Sequence, residues 1–326
     1  MILTLTPNPS IDRTVALTTE LQRGAVLRAG STTSQGGGKG VTISRAAVAA
    51  GVPTIAVLPA AQEDPFVLDL LRDGIDCRPE LPAGPVRVNL TLTEPDGTTT
   101  KINEPGAVVS GIDLDRLADA VVDRASVARW VVLAGSLPPG APEGWYADLV
   151  GALRDTGASV AVDTSGAPLV ALAAGLEEHA PQLMKPNGEE LASLTGGDAD
   201  AIEADPEAAA QAAQVLVSRG VGAVLATLGG SGAVLVTSDG AWHATPPPTV
   251  VVSTVGAGDS SLFGYLLGSL QGASPPERLR LAVAYGSAAA ALPGTTIPTP
   301  AHLRPELVEV RELIAQSVRP ATARHH

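Results

Sequence analysis

Short apolar runs rich in β-branched residues recur along this chain with helix-period stretches between them. That alternation restricts the fold more than any other feature of the sequence. Residues 2–6, 54–58, 130–134, 159–163, 223–227 and 233–237 have the strand pattern. Between them, 41–50, 65–72, 114–125, 145–155, 206–219, 260–270 and 276–292 carry the helical period, many behind a capping residue or ahead of a glycine. Wholly apolar strands suit a sheet covered on both faces. Strand and helix in turn give an α/β fold, a doubly wound, mostly parallel sheet flanked by helices.

Two stretches break the alternation, 14–33 and 87–102, the second with Pro95-Asp96-Gly97 between period-two segments. They predict hairpins outside the main sheet, a small antiparallel β lid built from discontinuous segments at about 12–35 and 86–103. With no internal repeat, heptad tract or long linker, 1–326 is expected to form one domain. The last residues, 320–326, are expected to be frayed, with His325 and His326 a chain end instead of a metal site.

Composition removes several classes of function. Gly and Pro reach 35 and 27 residues, but a hydrophobic fraction of 45% supports a packed core. A net charge of −13, with only 2 Phe, 3 Trp and 3 Tyr for stacking, argues against a nucleic-acid partner. The uncharged run at 220–238 is broken by Gly220, Gly222, Gly229, Gly230 and Gly232, as strand and turn require, so no membrane span is expected. Cys77 is the only cysteine, which excludes an intrachain disulfide and predicts a small buried apolar group. The first residues enter a strand with no basic region or cleavage site, so a cytoplasmic protein is expected.

Lys39, Lys101 and Lys185 are the only lysines among 21 basic residues, so each invites a reason. Lys39 follows Gly36-Gly37-Gly38 directly before a helix, either a plain glycine-rich turn with a solvated lysine or a place where bare backbone and free N–H groups favour an anion. It is not a Walker A loop, because Gly40 stands where Ser or Thr is needed and Thr33 where Gly is needed. Nor does it satisfy GxGxxG, because Val41 holds the final position. Gly256-Ala257-Gly258-Asp259 opens an apolar helix, where three small residues can leave amides free beside the positive end of the dipole. Asp259 is either an N-cap carboxylate or a base that takes a proton from a hydroxyl attacking phosphorus. Asn187 and Glu190, three apart after Lys185-Pro186, are either a capping box or oxygen donors to Mg²⁺. The stretch from Thr227 through Gly229 to Gly232 is either a plain hairpin turn or bare backbone for an adenine nucleotide.

Taken in order, six blocks resemble the ribokinase-like PfkB carbohydrate kinases, and within them the 1-phosphofructokinase and tagatose-6-phosphate kinase branch. The blocks are Thr6-Pro7-Asn8-Pro9-Ser10-Ile11-Asp12, Gly37-Gly38-Lys39-Gly40, Lys101-Ile102-Asn103-Glu104-Pro105-Gly106, Gly135-Ser136-Leu137-Pro138, Lys185-Pro186-Asn187 with Glu190, and Gly256-Ala257-Gly258-Asp259. The resemblance implies a sugar-phosphate kinase using ATP and Mg²⁺, with fructose 1-phosphate as acceptor and fructose 1,6-bisphosphate as product. Tagatose 6-phosphate or fructose 6-phosphate as acceptor, or a non-catalytic sensor on the same fold, are the alternatives.

By the same likeness Asp259 is the base and Gly256, Ala257 and Gly258 the anion hole. Asp12, Gly37 and Gly38 bind sugar hydroxyls, and Lys39, Arg87 and Ser136 lie near the phosphate already on the sugar, with Asn103 a further sugar-site residue. Lys185, Asn187 and Glu190 serve phosphates and metal, while Thr227, Gly229, Gly232 and Ser287 surround the nucleotide. The Ser253 and Val255 carbonyls are candidate ligands for a monovalent cation such as K⁺. A β lid closing over the sugar and pairing with a partner's lid is a further implication. One departure stands out: the branch reads Gly-Lys-Gly-x-Asn, and here Thr42 replaces the amide that can both donate and accept toward sugar oxygens.

Overall fold

The computed structural model describes residues 1–313, so the tail at 320–326 with His325 and His326 lies outside the described residues. In chain order the strands are β1 Ile2–Leu5, β2 Ser10–Leu17, β3 Ala29–Gly37, β4 Thr54–Pro59, β5 Asp76–Glu80, β6 Arg87–Thr93 and β7 Thr99–Asn103. They continue with β8 Trp130–Ala134, β9 Ser159–Asp163, β10 Leu183–Met184, β11 Ala223–Thr227, β12 Ala233–Thr237, β13 Gly240–Thr245 and β14 Glu309–Leu313.

The large sheet has 10 strands in the order β14-β13-β12-β11-β10-β9-β8-β1-β4-β5. From β11 to β5 every neighbouring pair is parallel, and β12, β13 and β14 add antiparallel strands at one side. Helices on both faces explain the apolar strands. Leu3, Val131 and Leu133 pack against the helices Gly111–Ala125 and Trp145–Leu153. Ile2 and Val132 instead face Lys39–Ala49, Ala257–Leu270 and Pro275–Ala290. Strand β1 lies between β8 and β4, where the strand order changes direction; ligands of such sheets bind there, beyond the carboxyl ends of the strands.

The second sheet is β3-β2-β6-β7. Both expected hairpins form, β2 with β3 and β6 with β7, and the seam joining them, β2 with β6, is parallel. Cys77 is buried on β5, which pushes its thiol up to about 11. No helix among the described residues is long and apolar enough to cross a membrane.

Differences from the sequence-based expectation fall at ends and edges. Helices begin at Lys39, Gly111 and Ala257, two or three residues ahead of the apolar period, because that period marks the buried face and the first turn is polar or glycine-rich. The outer strands β5, β13 and β14, and the short helices Ala167–Ala174, Leu176–His179 and Ala199–Ala204, carry too little period to be recognised.

Candidate active site

The carboxyl ends of β1, β8 and β9, the root of β2 and the mouths of two helices meet around a cleft of about 280 Å³. Lys39 opens the helix Lys39–Ala49. The chain reaches it through Gly38 at φ 116°, a conformation open to glycine, and a Cβ there would stand 2.6 Å from the Thr6 methyl. The Lys39 ammonium donates to Asp163 Oδ1 at 2.6 Å. Asp163, at the end of β9, is fully buried, and its other oxygen faces the Lys185 ammonium at 3.3 Å. Burial alone would raise the Asp163 carboxyl; Lys185 and Lys39 outweigh it and hold the group below the usual range. Burial likewise opposes the charge on Lys39, and Asp163 and Asp259 overcome it, raising its pKa.

Across the cleft, Gly256 caps the helix Ala257–Leu270 at φ 76°, a left-handed turn that suits glycine. Ser260 N–H donates to the Gly256 carbonyl and starts the helix, while the amides of Gly258 and Asp259 take no backbone partner among the described residues. With the Gly256 amide, which also has no backbone partner among the described residues, those two can take an anion at the positive end of the helix, while the Ala257 amide leans on the Thr254 carbonyl at 3.3 Å. Asp259 is pushed up to about 6, first by desolvation and then by the Asp163 carboxylate, against the pull of Lys39, Lys185 and the Thr42 hydroxyl. A carboxyl so placed is ionised mainly above about pH 6 and could then accept a proton. The acid limb of kcat/KM, measured with both substrates well below saturation, is therefore expected near pH 6, with activity lost as pH falls through it. A flat profile from pH 5 to 8 would contradict the assignment.

The small sheet supplies the other wall. Asp12 on β2 accepts from Ser10 Oγ at 2.8 Å and from Asn89 Nδ2 at 3.0 Å. A Cβ at Gly37 would collide with the Asp12 carboxylate. Arg87, at the start of β6, donates to the carbonyls of Glu104 and Asn8 and reaches Ser136 Oγ at 3.4 Å, with its Nε buried and unpartnered. Desolvation lowers the Arg87 pKa against the raising effect of Asp12 and Glu104.

Of the residues singled out in the sequence, Asp12, Gly38, Lys39, Thr42, Arg87, Ser136, Val255, Gly256 and Asp259 line the one cleft. Gly37 and Lys185 lie behind it, touching Asp12 and Asp163 respectively. Asn103 pairs in register with Asn89 but is exposed and outside the cleft. Asn187 and Glu190 form the capping box, Asn187 Oδ1 accepting from the Glu190 amide at 2.7 Å and Glu190 Oε2 from the Asn187 amide at 2.9 Å. Thr227 bridges to Asn187, and Gly229–Ser231 is the turn between β11 and β12, closed by Leu228 N–H on the Gly232 carbonyl. This group and Ser287, whose carbonyl caps the helix Pro275–Ala290, lie outside the cleft. The Ser253 hydroxyl donates to the Gly294 carbonyl at 3.2 Å.

Asp163, buried behind the cleft, and Asn89, on its wall, escaped the sequence reading, as did the lining residues Ser165, Thr295, Thr296 and Ile297. Asp163 closes an otherwise apolar buried strand, a signal available only once that strand end is known to meet Lys39. Asn89 looked like one polar position of an alternating strand; its Oδ1 is buried and unpartnered beside Asp12.

The pfkB family carbohydrate kinase model matches residues 6–302. The chain belongs to that family. It is 37% identical over 290 residues to a 1-phosphofructokinase of Xanthomonas campestris, covering 87% of this chain and 89% of the relative. It is 35% identical to a 1-phosphofructokinase of Haloferax volcanii, covering 91% and 93%. The crystal structure of phosphofructokinase-2 from Escherichia coli in complex with substrates and products superposes with a TM-score of 0.83 at 30% identity, covering 92% and 96%.

A kinase of this family is an ATP-dependent phosphotransferase that works with a divalent metal, and the residues fit that load. The Glu190 carboxylate spends Oε2 on the Asn187 amide and leaves Oε1 without a partner among the described residues, a hard oxygen donor of the kind such a cation takes. A Cβ at Gly258 would stand 3.3 Å from the Lys185 ammonium, so the missing side chain keeps open the space where a phosphate would meet that cation.

Proposed function

We propose that this chain transfers the γ-phosphate of ATP to fructose 1-phosphate, giving fructose 1,6-bisphosphate and ADP. The observation that carries it is Asp259, raised to about 6, sharing one cleft with Lys39, Arg87 and Asp12. Asp12, with Asn89 beside it, orients the sugar hydroxyls, and Arg87 and Ser136 hold the phosphate already present. The Asp259 carboxylate takes the proton of the acceptor hydroxyl as its oxygen attacks the γ-phosphorus and the bond to ADP breaks. The Gly258 and Asp259 amides and Lys39 receive the charge that develops on the transferring phosphoryl group. Glu190 and Asn187, directly or through water, would hold Mg²⁺, which would supply charge neutralisation on the phosphates. Lys185 binds phosphate, with Asn187 fixing the turn beside it, and Thr227, Gly229, Gly232 and Ser287 flank the nucleotide.

The four-stranded sheet acts as a lid, since Asp12, Arg87 and Asn89 all stand on it, and closing it excludes water from the transfer. Two such lids pair in a homodimer. A K⁺ ion is part of the proposal: the carbonyl oxygens of Ser253 and Val255 accept no hydrogen bond from the described residues. The relatives named 1-phosphofructokinase support the acceptor chosen, and Thr42 in place of Asn makes a panel of acceptors the proper test. ADP release with fructose 1-phosphate, fructose 6-phosphate and tagatose 6-phosphate is expected to give the highest kcat/KM for the first, by about tenfold or more, the scale of one well-placed polar contact. A higher value for either of the others would overturn the acceptor, and binding without ADP release from any would indicate a sensor.

A further inference from the structure

The cleft is also lined by Thr295, Thr296 and Ile297, which follow the helix Pro275–Ala290. The Thr295 hydroxyl donates to Gln35 Oε1 at 2.6 Å, a part-buried contact across 260 residues. Gln35 does not line the cleft. It stands on β3 directly opposite Asp12 in the β2–β3 register, so it moves with the strand that carries the sugar-site carboxylate. On the other side of Thr295, the Gly294 carbonyl accepts from Ser253 Oγ at 3.2 Å, and Ser253 Oγ in turn accepts from the Val255 amide at 3.3 Å. Val255 immediately precedes Gly256, the cap of the anion turn. A short series of contacts thus runs from the sugar strand through Gln35, Thr295, Gly294 and Ser253 to the Val255 amide, one residue ahead of the glycine that caps the anion turn.

We infer that Gln35 and Thr295 are positioning residues that make sugar binding and nucleotide binding cooperative. A sugar that draws β2 and β3 inward sets the Gln35–Thr295 bond, and the bond holds the 293–296 loop, and with it the anion turn, in place. A nucleotide that orders the anion turn favours the same bond from the other end. Linkage requires the effect to be equal in both directions. The inference rests on the two-substrate kinase reading of the cleft. Nothing in it requires either side chain to touch substrate.

Calorimetry with fructose 1-phosphate and a non-hydrolysable ATP analogue tests it, each titrated with and without saturating amounts of the other. In the wild type each ligand is expected to tighten the other by about fivefold or more, the lower end of coupling between linked sites. Gln35→Leu and Thr295→Val should each bring that factor to within about twofold of unity, and the double variant should go no further, because both remove one bond. Thr295→Ser, which keeps the hydroxyl, should retain the wild-type factor. A contact that only stabilised the fold would lower Tm and leave the coupling factor unchanged, and that result would overturn the inference. Independent binding of the two ligands to the wild type would overturn it too, while leaving the kinase reading intact. A wild type that binds neither ligand would instead remove the kinase reading, and the inference with it.

Discussion

Asp259→Asn is expected to bind sugar phosphate and ATP within a few-fold of the wild type and to lower kcat by about 10²- to 10⁴-fold, the range a positioned general base supplies. The amide keeps the shape of the side chain and the anion turn around it but cannot take a proton from the acceptor hydroxyl. ATP affinity should be equal or higher, since an anion beside the phosphates has been removed. Steady-state ADP release together with direct binding of each ligand separates the two effects. Turnover within tenfold of the wild type would show that proton acceptance by this carboxylate is not what the site contributes. A parallel loss of binding would point to a structural role.

The second large effect is expected at Asp163. Its carboxylate, fully buried, is the only counter-charge in ion-pair contact with either Lys39 or Lys185 among the described residues. Asp163→Asn leaves Lys185, 5% exposed, as an uncompensated cation, and Lys39, 33% exposed, as a partly solvated one. Breaking a buried pair from one side costs about 3–5 kcal/mol, and screening at Lys39 places the expectation near the lower end, about 3 kcal/mol. Denaturant unfolding at neutral pH measures it. A second readout has a definite sign. The Asp163 charge helps to raise Asp259, and its loss also frees two ammonium groups to attract that carboxylate. The acid limb of activity should therefore move below about pH 6. A stability loss under about 1 kcal/mol with an unmoved limb would contradict the electrostatic account of the site.

The parts of this molecule that can be read from sequence are those whose physics is local. Strand β8 is legible because all five of its residues are buried and apolar, and the turns at Gly38 and Gly256 because glycine is required where φ is positive and backbone must come close. Asp259 and Lys39 stand out through those same turns. Asp163 does not, because its meaning depends on a partner 124 residues away, fixed by which strand ends adjoin at the centre of the sheet. Asn89 acquires its role only when β6 docks beside β2, and the Gln35–Thr295 contact only when the ends of the described chain are brought together. Asn187 and Glu190 show the reverse case. Their spacing fits both a cap and a metal site, and the cap is formed in full.

The central claim is that one carboxylate at the mouth of the helix Ala257–Leu270 serves both an alcohol on one side of the cleft and the terminal phosphorus of a nucleotide on the other. Phosphorus NMR of the wild type with fructose 1-phosphate and Mg·ATP follows that phosphorus to its destination. A doubly phosphorylated ketohexose formed in equal amount to ADP is the predicted result. ADP accompanied by inorganic phosphate, or a mixture in which ATP is not consumed, would contradict it.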